Sequence, residues 1–254
     1  PKDIKMRSYS APSEVEESKV DEAVSLLEKA KKPVLYAGGG IIQGNASGEL
    51  KKLAKIMNSP VTNTLMGLGA FPATHENFIG MLGMHGTYEA NLAMHNCDLM
   101  INVGARFDDR VTGDLKTYAK QAQIIHFEID PAEVDKNVKV DIAVIGDVKQ
   151  TLKEILPHVN KSSHNSWVRK FRELNKIEFD KVIDKEYNKQ SGGLSMAEVI
   201  KSINENTDGN SILVTDVGQH QMIACRYMNF NKSKSNITSG GLGTMGFALP
   251  AALG

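Results

Sequence analysis

Short apolar runs alternate with segments of helical period from residue 15 to residue 157, and that alternation leaves the chain few architectures to choose from. Runs at 34–37, 61–64, 99–103, 124–128 and 140–145 have the length and composition of strands. Between or beside them, 15–30, 48–57, 88–95 and 148–156 read as helices. In the first of these, Val20, Ala23, Val24, Leu26, Leu27 and Ala30 form one apolar stripe. Parallel strands need crossover connections, and those are right-handed. The expected fold is therefore α/β, a parallel sheet flanked by helices, with one domain over 15–157.

Residues 158–194 are more polar and read as a connecting helical segment. Trp167, Val168, Phe171, Leu174, Ile177 and Phe179 give it a partly apolar face. Ser195 with Glu198 makes a capping box that opens a helix through Ile203. A strand at 212–215, a helix reaching Tyr227, a short strand at 236–238 and a glycine-rich turn follow, so 195–254 reads as an incomplete second α/β domain. Residues 1–14 read as a linker from an upstream domain, and the apolar stretch 249–254 reads as a helix cut short. The chain is expected to be a piece of a longer one.

Lys plus Arg and Asp plus Glu each number 30, with no dense basic run, which argues against nucleic acid or an anionic membrane as partner. Cys97 and Cys225 are far apart and belong to no CxxC or histidine cluster, so neither a disulfide framework nor structural zinc is expected. No apolar run approaches bilayer-spanning length. A soluble, cytoplasmic protein is the expectation.

The chemistry concentrates after the run 99–103, in Gly104-Ala105-Arg106-Phe107-Asp108-Asp109-Arg110-Val111. The carboxyl ends of strands are where an open parallel sheet binds ligands. Arginine stays charged and can grip a phosphate or stack on a flat ring, while a neighbouring aspartate orients it. A solvated ion-pair network uses the same residues, and the position after a strand favours the ligand. Gly38-Gly39-Gly40 follows another strand, yet Gln43 stands where a dinucleotide fingerprint needs glycine. The triplet fits either a cofactor approach or a tight turn. Residues 82–87 precede a helix that Thr87 can cap, and His85 is either structural or a ligand contact. Asp147 is positioned to cap the next helix, and Glu128 ends a strand where a carboxylate can accept ribose hydroxyls. Gly218-Gln219-His220 lies between strand and helix, a seat for phosphate. In the turn 240–246, Met245 is either a core residue, slightly favoured by the residues alone, or a polarizable platform for a ring.

Taken together, residues 64–69, 81–86, 103–113, 125–131, 217–222 and 238–246 resemble acetohydroxyacid synthase, also called acetolactate synthase, from about Lys31 to the last residue. Several separate motifs in the right order carry the likeness. That family has three α/β domains, and this chain resembles the central one plus the opening of the third. The resemblance implies FAD contacts at Gly38, Gly39, Thr64, Leu65, Met66, Leu82, Gly83, Met84, His85, Gly104, Ala105, Arg106, Asp108, Arg110, Val111, Glu128, Ile129, Asp147 and Val148. It implies thiamine diphosphate contacts at Val217, Gly218, Gln219, His220, Gly243 and Met245, with Met245 bending the cofactor between its two rings.

The implied activity joins two pyruvates, or pyruvate and 2-oxobutanoate, with loss of CO₂, in branched-chain amino-acid synthesis. Thiamine diphosphate supplies the carbanion chemistry. FAD is bound without a net redox step. The family's catalytic glutamate lies in an N-terminal domain and its Mg²⁺ ligands lie past the position of Gly254, so no catalytic or metal-ligating residue is assigned. The chain alone is expected to be inactive. The resemblance further implies a homodimer or tetramer and a small regulatory subunit. Glyoxylate carboligase is the alternative within the enzyme class, and a nucleotide-binding or regulatory module is the alternative outside it.

Overall fold

The computed structural model describes residues 15–189 and 192–254. The expected linker 1–14 lies outside them. Six parallel strands form the main sheet: β1 (Pro33–Ala37), β2 (Val61–Asn63), β3 (Phe78–Met81), β4 (Leu99–Val103), β5 (Gln123–Glu128) and β6 (Ile142–Ile145). Their spatial order is β3-β2-β1-β4-β5-β6. β1 and β4 are buried along their whole length, and β5 after its first residue, because both faces are covered. Leu35, Ala37, Ile101, Val103, Ile125 and Phe127 face one core, while Val34, Tyr36, Met100 and Ile124 face the other.

The first core is closed by α1 (Glu17–Lys29), α3 (Ser47–Met57) and α6 (Val148–Ile155), with the short α2 (Gly39–Gln43) above the end of β1. The second is closed by α4 (Tyr88–Asn96) and by α7 (Asn165–Glu178), which inserts Trp167 and Phe171. The short helix α5 (Asp109–Thr112) follows the loop after β4.

Several expectations shift in detail. β3 was not read from the sequence: its interior Gly80 and half-buried alternation suit an edge strand but hide the strand signal. Thr64 lies outside β2 because its hydroxyl caps the 3₁₀ turn Leu65–Gly67. Residues 140–141 precede β6, where the Asp141 side chain accepts from Ile124 N at 2.8 Å. The apolar stripe of α7 leaves the sheet beyond Leu174, so Ile177 and Phe179 are exposed.

A π-helical turn (Phe179–Ile183) and α8 (Asp184–Tyr187) lead to α9 (Met196–Thr207), which carries the capping box of Ser195 and Glu198. A two-stranded parallel sheet of β7 (Leu213–Thr215) and β8 (Asn236–Thr238) follows, with α10 (Gln219–Tyr227) between its strands and α11 (Ala248–Leu253) after them. Leu68 and Met81 join Ala197, Ile200, Ala224, Cys225, Tyr227 and Phe230 in a third core, so the two halves of the chain share apolar contacts.

Candidate functional site

The winding direction of the main sheet reverses between β1 and β4, and an open sheet of this kind forms its ligand crevice there. Gly38 follows β1 and Gly104 follows β4. Gly38 N donates to Val103 O at 2.9 Å and Gly40 N to Gly104 O at 3.0 Å, stitching the two strand ends together. A Cβ on Gly38 would lie 2.1 Å from Gly104 O, and one on Gly40 would lie 2.7 Å from Gly104 Cα. These glycines serve the backbone approach. Gly39, beside Met66, and Gly40 also line the crevice.

Beyond Gly104 the chain makes a loop that is fixed from below. Asn102 Nδ2 donates to Ala105 O at 2.6 Å and Asn102 Oδ1 accepts from Ala105 N at 3.2 Å. Phe107, with a left-handed φ of 53°, is buried edge-on against Tyr36, Tyr118 and His126. With Phe107 driven inward, Arg106 and Asp108 are left on the outside, joined at 2.6 Å. Asp108 also caps α5 through Arg110 N. Burial pushes its carboxyl up, but the Arg110 amide and the two guanidinium charges outweigh this and hold it below the usual range. Arg110 itself is largely exposed.

On the other side of the crevice Glu128 ends β5, two residues after His126 and on the same face. Glu128 Oε1 accepts from Ile129 N and Asp130 N, and Oε2 lies 3.4 Å from His126 Nε2. His126 Nε2 is also 2.9 Å from Ala105 O. Both of these partners accept, so Nε2 carries the proton, while Nδ1 is buried without a partner among the described residues. Burial raises the Glu128 carboxyl pKa, yet the bonds from His126 and the two amides hold it below the ordinary value.

These elements enclose a groove of about 350 Å³ lined by Gly39, Thr64, Leu65, Met66, Gly104, Ala105, Arg106, Asp108, Arg110, Val111, Glu128 and Ile129. It adjoins a second cavity of about 630 Å³ with which it shares Leu65, Asp108, Arg110, Val111, Gly240 and Gly241. Leu82, Met84, His85, Val217 and Gly243 line that cavity. Gly83 underlies it, with φ 101° and with Asn91 bonded to both its N–H and its carbonyl. Met84 N donates to Arg110 O at 2.8 Å, which ties the loop 82–86 to the arginine loop.

Asp147 and Val148 line neither cavity. Asp147 caps α6 through Lys149 N and Gln150 N, and Val148 is buried in the first core. In the second half, Gly218 precedes α10 with no side-chain cap, leaving the first-turn amides of that helix open to an anion. Gln219 begins α10, and the His220 ring packs 3.3 Å from where a Gly218 Cβ would stand. Met245 is 78% exposed among these residues, so it is not part of a core they build. Asp216 Oδ1 accepts from Phe247 N at 2.8 Å, just before α11.

Sequence reasoning gave no site role to Asn102, His126, Phe107 or Tyr36, nor to the lining residues Gln43, Glu133, Gln221, Met222 and Cys225. For His126 a signal was present: strand alternation puts it on the face of Glu128. Cys225 and Cys97 are buried free thiols, each pushed by burial to about 12, which disfavours the thiolate. Among the described residues no cluster of His, Cys, Asp and Glu is arranged to hold a metal ion, and no helix is long and apolar enough to cross a membrane.

A switch-point crevice facing an uncapped helix end in a second α/β unit has the layout of a cofactor enzyme. The comparisons give its class: a family model described as thiamine pyrophosphate enzyme, central domain, matches residues 20–155. A second, described as thiamine pyrophosphate enzyme, C-terminal TPP binding domain, matches residues 216–254. The chain belongs to the thiamine pyrophosphate enzyme family. Over its whole length it is 48% identical to the acetolactate synthase large subunit of Buchnera aphidicola subsp. Schizaphis graminum, covering 44% of that protein. It is 43% identical to the acetolactate synthase isozyme 3 large subunit of Escherichia coli K12, covering 45%, and 41% identical to the large subunit of Haemophilus influenzae, covering 44%. In each case all of this chain is aligned, so it spans less than half the length of these curated relatives.

Proposed function

We propose that the chain is the FAD-binding and partial thiamine-diphosphate-binding portion of an acetolactate synthase. The observation that carries this is the joining of Arg106, Arg110 and Glu128 around one groove that runs on past His85 to the start of α10. The donor set fits a dinucleotide such as FAD. Arg106 and Arg110 supply cations for a diphosphate, Glu128 supplies an acceptor for ribose hydroxyls, and Leu65, Met66, Val111 and Ile129 supply apolar walls for rings. The proposed FAD contacts are those named from the resemblance, except that Gly38, Gly83, Asp147 and Val148 act by shaping or capping the walls.

Thiamine diphosphate fits the second half less completely. The open amides of α10 at Gly218, Gln219 and His220 suit its diphosphate, and the exposed Met245 offers an apolar platform. When bound, thiamine diphosphate supplies the carbanion equivalent that joins two 2-keto acids with loss of CO₂. The role of this chain's residues is to bind, orient and wall off. In the proposed whole enzyme the substrates are pyruvate with pyruvate or with 2-oxobutanoate, Mg²⁺ accompanies thiamine diphosphate, and the catalytic carboxylate comes from outside these residues.

A cytoplasmic homodimer or tetramer with a small regulatory subunit completes the proposal. The 254 residues alone are expected to make no acetolactate. The test is to purify the chain, look for co-purifying flavin absorbance, and assay acetolactate from pyruvate with added thiamine diphosphate and Mg²⁺. Bound flavin without turnover supports the proposal. Turnover by the chain alone removes the division of labour, and failure to take up FAD at any concentration removes the flavin assignment.

A further inference from the structure

Away from the groove, the most deeply buried charge lies where α4, α7 and α10 meet. Glu89 on α4 is 1% exposed and Glu178, the last residue of α7, is 5% exposed. Arg226 on α10 pairs through Nη2 with Glu178 Oε1. Its Nη1 donates to Gly86 O at 3.1 Å. Glu178 Oε2 accepts from Tyr88 N at 3.1 Å, and Asn175 Nδ2 donates to Glu89 Oε1 at 2.7 Å. Residues from three parts of the chain therefore converge on the start of α4 and on the loop before it.

That loop carries Met84 and His85 to the cavity wall. Gly86 closes it: Gly86 N donates to Gly83 O at 2.9 Å, and a Cβ at Gly86 would lie 2.3 Å from Met81 O. With the backbone packed this closely, a carbonyl held by Arg226 fixes the loop against α10. The same helix contributes Gln221, Met222 and Cys225 to the wall of that cavity.

The charge balance adds a condition. Glu178 pairs with the guanidinium while Glu89 is buried beside it without a cation of its own, and an uncompensated buried charge is costly. Glu89 relieves this by holding a proton, since burial and the adjacent Glu178 push its carboxyl up to about 8. The groups facing it are Asn175 and Glu178 from α7 and, beyond Glu178, Arg226 from α10. β3, which also packs on α4, has no ionisable residue.

We infer that Arg226 is a positioning residue, which through Glu178 and the Gly86 carbonyl locks the 82–86 loop to α10. The inference rests on the flavin reading of the groove, and its test separates the two. In the protein at its native length, FAD affinity is titrated by flavin fluorescence, and amide exchange is followed over residues 82–87.

Arg226→Met is expected to weaken FAD about tenfold and to speed exchange over 82–87, with partial recovery in Arg226→Lys. If Arg226→Met does not fold, Arg226→Met with Glu178→Gln removes the stranded carboxylate and is read in the same way. Exchange over 82–87 that is unchanged in these variants overturns the inference. A wild type that binds no FAD defeats the flavin reading, while the exchange arm still judges the lock.

Discussion

Gly38 and Gly104 meet backbone to backbone where the sheet reverses its winding, so closely that a methyl group on Gly38 would stand 2.1 Å from the Gly104 carbonyl oxygen. Gly38 is in extended backbone, φ −102°, so the constraint is contact rather than conformation. Gly38→Ala is expected to lower stability by about 1–3 kcal/mol through overpacking, seen as a lower urea midpoint at unchanged slope. Gly48→Ala is the control: nothing lies within 4 Å of its Cβ position in α3, so the same change there should be neutral or mildly stabilising.

Asn102 satisfies both backbone groups of Ala105 from inside the core. Asn102→Ala is expected to cost about 1–3 kcal/mol, because it leaves buried backbone polar groups unpaired. The arginine loop should loosen as well, so FAD affinity should fall together with stability. Denaturation and flavin titration of the same variant check the two effects. Loss of stability with unaltered flavin affinity would separate the loop from the site.

Glu128 has a lowered folded pKa, so its contribution to stability is present above its unfolded value of about 4.5 and is lost as pH falls through the folded value. Glu128→Gln is expected to flatten that acid limb of the stability profile, measured by thermal melting below about pH 5. It should also weaken FAD at neutral pH through loss of the acceptor.

Glu89 carries the opposite sign. Its folded pKa is raised to about 8, so its share of stability is full below about 4.5 and is lost progressively as pH rises to about 8. Glu89→Gln should melt at a pH-independent temperature across that window relative to wild type. An identical slope in the two proteins would show that Glu89 is already charged when folded.

The parts of the fold governed by local chemistry were legible in the residues. The run Leu99–Val103 is apolar because both faces of β4 are covered, and Ser195 with Glu198 closes a capping box as their spacing requires. β3 escaped because an edge strand needs only half its residues buried, and Gly80 at φ 89° breaks the pattern. Strand-end position brought Gly104, Arg106 and Glu128 into one candidate crevice from sequence alone. The supports beneath it were harder to see, since Asn102 and His126 interrupt apolar runs and only the folded loop supplies their partners at Ala105. Arg226, Glu178 and Glu89 lie far apart in the chain, and nothing local to any of them announces the others.

The most direct measurement is FAD binding by wild type and by Arg106→Ala/Arg110→Ala, with folding of both checked by circular dichroism. Both arginines are largely exposed, so the double variant should fold normally. Saturable binding by the wild type and at least about a tenfold weaker constant in the variant is the expected result. Equal binding in the two proteins would mean that the crevice between Gly104 and Glu128 is not where the flavin sits.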